Sequence, residues 1–312
     1  MLTRRHIRAK AMQALYACRL SAPQDAATPR KNFLAGIEKI NDLFALQASL
    51  LEAIVRKAGA KLEARRTKHF ASPQERTPNT KFAANPFSAL LEENPKYAQA
   101  CAKYASVWVD RSEYVENLLE AIEASPRYRQ YMDSADASFA AHKSMILYIF
   151  REILAPDAAL WDFYEDYDMN WSADLQVANT MLLKTLEDVK EGSADFSIPT
   201  LFKDASDRQF ATELLDKALE QGASYRELIV QKADNWDPER IALVDMLLME
   251  MAVTEFLSFP SIPTKVTLNE YIEIAKEYST PKSRLFVNGI LDRVLEQLTT
   301  EGKIRKSGRG LM

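Results

Sequence analysis

Apolar residues recur along most of this chain at the three- and four-residue spacing of helices that bury one face. Ile7, Ala11, Leu15 and Cys18 form such a stripe near the start. Thr3 stands where an N-cap is needed, so a first helix is expected over residues 3–20. Phe33, Ile37, Ile40, Phe44 and Ala48, continued by Leu51 and Ile54, predict a long helix over 32–66, after a proline-bearing loop over 21–31. Residues 71–86, with three prolines plus Asn and Thr, read as a polar loop. Helices are then expected over 97–109, 112–122, 137–154, 157–167 and 172–189. Two more follow over 207–220 and 225–232, and Trp236-Asp237-Pro238 opens another. The strongly apolar run over 240–256 suits the centre of a bundle.

Residues 262–298 read as two helices joined by a sharp corner. Thr267 with Glu270 three residues on has the form of a capping box, and Leu268, Tyr271, Ile272 and Ala275 share the face that follows. Ser279-Thr280-Pro281 stops this helix and starts the next, with Thr280 as N-cap and Pro281 at a position where its missing N–H costs nothing. Phe286, Ile290, Val294 and Leu298 carry the second stripe. Gly289 inside that helix costs roughly 1 kcal/mol relative to Ala, which implies that a neighbouring helix approaches there.

Composition narrows the class. Only eight glycines in 312 residues, and long stretches rich in Ala, Leu, Glu and Lys, favour an all-α protein. Cys18 and Cys101 have no metal or redox spacing and fit a reducing, cytoplasmic setting. The most apolar stretch, 241–257, is interrupted by Asp245, Glu250 and Glu255, so no membrane span is expected. An arginine-rich, acid-free N-terminus also occurs in mitochondrial transit peptides, but this one lacks serine enrichment and runs straight into a helix face.

The net charge is −4, yet cations gather at the two ends, in Arg4, Arg5, Arg8 and Lys10 and in Lys303, Arg305, Lys306 and Arg309. Both ends are therefore candidate surfaces for an anionic partner. Cations in the first turn of a helix oppose its dipole by ~0.3–1 kcal/mol each, so helix stability does not account for them. No catalytic constellation stands out. The glycines are scattered, and His6, His69 and His142 have no ligand spacing. The run Trp161-Asp162-Phe163-Tyr164-Glu165-Asp166-Tyr167-Asp168 lacks the spacing of a calcium loop and reads as a helix with one aromatic and one acidic face. No metal or cofactor is expected. RNA binding asks instead for cations and for flat or hydrogen-bonding side chains. Arg4, Arg5 and Arg8 suit phosphates, Gln13 suits a base edge, and Tyr16 either stacks on a base or packs.

The run Pro263-x-Lys265-Val266, Asn269-Glu270, Ala275-Lys276 and Ser283-x-x-Phe286-Val287-Asn288-Gly289-x-Leu291-Asp292 resembles the C-terminal signature of the NusB family of bacterial transcription antitermination factors. The start, Arg4-Arg5-His6-Ile7-Arg8 continued by Gln13-Ala14-Leu15-Tyr16, is similar to the arginine-rich first helix of that family. The resemblance implies an all-helical bundle in two subdomains, with extra helices inserted in the N-terminal half. It implies a non-catalytic, cytoplasmic RNA-binding factor. Such a factor pairs with a NusE-type small-subunit ribosomal protein, holds single-stranded boxA-like RNA in nascent ribosomal transcripts, and works within the RNA polymerase antitermination complex. Candidate residues at the RNA are Arg4, Arg5, His6, Arg8, Gln13, Tyr16, Asp245, Lys282, Arg284 and Phe286. Lys282 stands where the family usually has an acid; it either forms with Arg284, at a helix N-terminus, an extra phosphate seat or is a solvated lysine.

Residues from about 30 to 190 carry nothing of the signature. The chain therefore divides into an enlarged N-terminal region, 1–190, a C-terminal bundle, 191–300, and a basic tail, 301–312. Two other classes fit part of the pattern. One is a helical protein-interaction scaffold in ribosome biogenesis without boxA binding. The other is a relative of the domain fused to ribosomal RNA methyltransferases, although no glycine-rich cofactor loop is present.

Overall fold

The computed structural model describes residues 1–21, 27–70, 72–171, 173–233 and 241–311. The opening at Trp236-Asp237-Pro238, together with Arg240 and the Arg309 side chain, lies outside the described residues. Helix α1 spans Arg4–Leu20 and α2 spans Ala27–Arg66. The long helix thus begins five residues before the expected Asn32, because Pro29 falls in its first turn, where no N–H is needed. The chain divides into two compact units. One holds Met1 and Glu38–Leu201, the other Leu2–Ile37 and Phe202–Met312.

In the first unit the rest of α2 is joined by α3 (Pro73–Arg76), α4 (Pro86–Glu93), α5 (Pro95–Asp110), α6 (Ser112–Ala124), α7 (Pro126–Asp133), α8 (Phe139–Tyr148), α9 (Ala158–Tyr167) and α10 (Leu175–Asp188). Side-chain caps set most of the starts. Asn85, Asn94, Ser125, Ser138 and Asp157 each accept backbone N–H groups of the helix that follows, and Pro86, Pro95 and Pro126 take the next position. Asn94 is buried and also donates to the carbonyls of Ala194 and Phe196. The expected 137–154 helix continues past α8 as a π-helical segment, Ile149–Leu154.

The expected polar loop over 71–86 is not a free loop. It contains α3, the fully buried Phe82 and the buried cap Asn85. The aromatic side of α9 packs inward as expected. Phe163 meets Trp108 edge-on at 5.5 Å, Tyr167 stacks on Trp171 at 5.4 Å, and Asp162, Glu165 and Asp166 stay exposed.

The second unit holds α1, α11 (Ala205–Gln221), α12 (Arg226–Gln231), α13 (Leu243–Ser258), α14 (Thr264–Tyr278) and α15 (Ser283–Thr300), with α1 packed against α11, α13 and α14. Every residue of α13 from Asp245 to Phe256 is buried, which is why its sequence shows no one-sided stripe. An α-helix buried on all sides must find partners for its acids, and here Glu250 and Glu255 find them.

The C-terminal corner departs from the sequence reading in three ways. Helix α14 starts at Thr264 after Pro263, so Thr267 is a buried interior residue rather than a cap. Helix α15 starts at Ser283, and Thr280 instead places its hydroxyl 2.9 Å from that of Ser283. A Cβ built on Gly289 meets nothing within 4 Å, so no neighbour approaches there. Gly289→Ala should therefore raise the unfolding free energy by about 0.5–1 kcal/mol in a urea titration. A loss of stability would show that this open face is occupied.

Candidate nucleic-acid interface

The N-terminus of α1 is held by a reciprocal cap. The Thr3 hydroxyl accepts the His6 N–H at 3.3 Å, and the His6 Nδ1 accepts the Thr3 N–H at 3.2 Å. His6 thus serves the cap as a neutral acceptor. Burial comes first in holding its ring below the ordinary 6.5, with Glu277 acting in the opposite sense and Arg5 and Lys10 adding repulsion.

The arginines beside it differ sharply in environment. Arg4 donates through Nε to Asp207 at 2.9 Å and lies 5.0 Å from the Phe210 ring centre. Arg5 grips Glu270 with two bonds, from Nε at 3.0 Å and Nη2 at 2.9 Å. These side chains remain 41% and 44% exposed. Arg8 is 2% exposed and forks onto Glu255, which is 0% exposed, with bonds of 2.8 and 2.7 Å. Burial alone would push the Arg8 guanidinium down, but the Glu255 carboxylate beside it more than offsets this and leaves it above its ordinary value. Glu255 also accepts from Thr267 at 2.7 Å and Tyr271 at 3.4 Å. Arg8 is therefore a structural ion, and the phosphate contact expected of it is excluded by burial.

The α14 edge gathers the remaining charges. The Glu273 carboxyl lies below its usual range, first through its bond to Lys276, with Arg5 and Arg284 contributing charge. Arg5 and Arg284, far apart in sequence, thus both favour the charged form of one carboxylate. Lys282 and Arg284 are exposed at the start of α15, and Phe286 is half-buried. The amides of Ser283 and Leu285 already donate to the carbonyls of Thr280 and Lys282, which reduces the free N–H groups of the expected phosphate seat.

Gln13 is half-buried, and Tyr16 is 37% exposed on the same side of α1 one turn later. Asp245 is 4% exposed in the first turn of α13, so direct contact with RNA is closed to it. In the basic tail Lys303 and Arg305 are exposed, while Lys306 is committed to the fold. Lys306 donates to the carbonyls of Phe259 at 2.9 Å and Glu255 at 3.3 Å, capping the end of α13. A Cβ on Gly310 would stand 1.9 Å from the Pro260 carbonyl oxygen, so only glycine fits there without a shift. Sequence reasoning missed Asp207, Phe210 and Glu255 as partners of the α1 arginines. The one usable signal was an acid, Glu255, in an apolar run, which calls for a buried cation.

The NusB family model matches residues 176–296. A transcription antitermination protein NusB of Salinibacter ruber is 41% identical over 142 residues, which cover 43% of this chain and 89% of that protein. The chain belongs to the NusB family. The NusB protein of Citrifermentans bemidjiense is 38% identical over 125 residues, covering 40% of this chain and 83% of that protein. That of Chloroherpeton thalassium is 40% identical over 109 residues, 35% of this chain and 52% of the relative. No solved structure matches the chain. Most of the first unit precedes the family match.

Two outcomes follow from this geometry. Glu255→Ala leaves Arg8 buried without its carboxylate and should cost roughly 3–5 kcal/mol in a urea titration, whereas Arg8→Met with Glu255→Leu should cost clearly less. Equal losses would mean that the charge pair is not the cause. For His6, the folded-state value lies below the unfolded 6.5, so its stabilising contribution is full above about 6.5 and is lost as pH falls through the folded value. Protection factors of the first-turn amides of α1, taken relative to the intrinsic exchange rate at each pH, should fall on acidification from about pH 7 to about 5, and His6→Gln should flatten that dependence.

Proposed function

We propose that this NusB-family chain is an RNA-binding transcription antitermination factor. With a NusE-type ribosomal protein it holds boxA-like single-stranded RNA of nascent ribosomal transcripts in the cytoplasm and suppresses premature termination within the RNA polymerase antitermination complex. The observation that carries this reading is the half-exposed pair Arg4 and Arg5 at the start of α1, together with the exposed Arg284 at the start of α15. The Arg5–Glu270 pair is solvent-exposed and worth at most about 1 kcal/mol, so phosphate can displace that carboxylate at little cost, whereas Arg4 offers its exposed edge while keeping its bond to the buried Asp207. Lys282 adds an exposed cation, and Gln13, Tyr16 and the part-exposed Phe286 supply the hydrogen-bonding and stacking groups that unstacked bases need. His6 orders the helix start by its cap. No described helix is long and apolar enough to cross a membrane.

Arg4→Glu with Arg5→Glu should abolish binding of a boxA-like RNA, measured with and without the NusE-type protein, while helical content stays intact. Lys282→Asp should weaken binding and reduce the log–log salt slope by ~0.7, the single-strand value for one contact. Full affinity in the Arg4/Arg5 variant at low salt would overturn this site, and absence of boxA binding by the unaltered chain, with and without the NusE-type protein, would favour the scaffold alternative.

A further inference from the structure

The first unit is acidic as a whole, with eighteen Lys and Arg against twenty-five Asp and Glu over 38–201. Within it, the stretch from Arg56 to Lys81 holds eight cations and two acids. Such segregation inside an acidic unit asks for a reason, and structure removes the simplest one. Arg56, Lys57 and Lys61 face Glu52, Glu116 and Glu123 and serve packing. Lys81 caps the end of α7 through the carbonyls of Tyr131 and Ser134. Beyond Lys61 the cations point to water. Arg66 and Lys68 make only exposed pairs with Glu63 and Glu75, and Arg65 and Arg76 make no ion pair among the described residues.

Helix α7 adds to the same end. Phe82 packs edge-on against Tyr128 at 5.3 Å, and Asn79 donates to the Met132 carbonyl at 2.9 Å, which fastens the 79–82 turn to α7. The Tyr128 hydroxyl, pushed up to about 12 by burial and by Glu123, feels the Arg65 charge in the opposite sense. Lys61, one turn before Arg65 on α2, pairs at 2.8 Å with Glu123, three residues before α7 begins, so the end of α2 approaches the helix that carries the exposed Arg127 and Arg129. The turn between α2 and α3, spanned by the Lys68–Glu75 pair at 3.6 Å, ends in Phe70, 91% exposed, with His69 edge-on at 4.6 Å. An exposed flat ring in a segment rich in exposed arginines is the combination that binds single strands, in which cations track the backbone and aromatic faces stack bases.

We propose that the end of α2, the Thr67–Phe70 turn, α3 and α7 form a second contact surface for single-stranded RNA, carried by Arg65, Arg76, Arg129 and Phe70. This surface lies in the part of the chain outside the family match. The proposal rests on the RNA-binding reading for the nature of the ligand and not for its location.

The test uses the full chain and a labelled, unstructured 30-nucleotide A/U RNA. Arg65→Glu, Arg76→Glu and Arg129→Glu together should weaken binding at least tenfold and reduce the salt slope by about 2, the sum of three single-strand contacts. Phe70→Ala should weaken it roughly fivefold or more without changing the slope. Circular dichroism checks folding, and Gln replacements at the same three arginines serve if the Glu variant misfolds. Unchanged affinity and slope in the triple variant overturn the proposal, including the case in which it loses an acidic protein partner instead. The Arg4/Arg5 variant, run in parallel, separates the two readings. Loss there alone overturns the second surface and keeps the first, and loss in the triple variant alone does the reverse.

Discussion

The buried fork between Arg8 and Glu255 fixes how α1, α13 and α14 meet. Both ions are withdrawn from water, a transfer that costs several kcal/mol per charge, and only a near-complete set of partners offsets it. The set is present: two short bonds between the ions, the hydroxyls of Thr267 and Tyr271 on the carboxylate, and the rings of Phe210 and Tyr271 at 5.1 and 5.9 Å from the guanidinium. Apolar packing alone tolerates a slip of one helix along another. A two-point fork between α1 and α13, with its acceptor also bonded from α14, does not. The tail reinforces the same place, since Lys306 caps the carbonyls at the end of α13.

The fork also changes the meaning of the arginine-rich start. Cations in the first turn of a helix work against its dipole, and local reasoning finds no structural purpose for them. Carboxylates from other helices supply one. Asp207 and Glu270 answer Arg4 and Arg5, and Glu255 answers Arg8. The result is a gradation: Arg8 sealed into the core, Arg4 half-exposed on the buried Asp207, and Arg5 at the rim with an exposed pair that solvent screens and an anionic ligand can exchange. The exposed rim is the part of α1 that remains free to meet a ligand.

Electrostatic character divides along the chain. The second unit carries twenty-two Lys and Arg against nineteen acids, while the first is net acidic yet keeps one cationic end. An acidic body disfavours indiscriminate contact with a polyanion, so basic patches on it act locally within about a Debye length.

Helix content, the α1 start at Thr3 and the family signature were legible in the sequence, because each depends on neighbours within a turn or two. Short helices opened by proline, α4 and α7, escaped because too few residues carry a periodic signal. The fates of individual polar residues were not legible. Nothing local separates Arg8 from Arg5. Burial does, through a carboxylate 247 residues away. Thr267 has the local form of a cap, yet it serves Glu255 from inside α14. Gly289 suggested a close neighbour, and the packing left it open, while Gly310, unremarked in the sequence, sits against the Pro260 carbonyl. Periodicity and capping are properties of the chain, and the sequence determined them. Which charges are sealed, paired or left to solvent depends on partners that only the tertiary structure brings within reach.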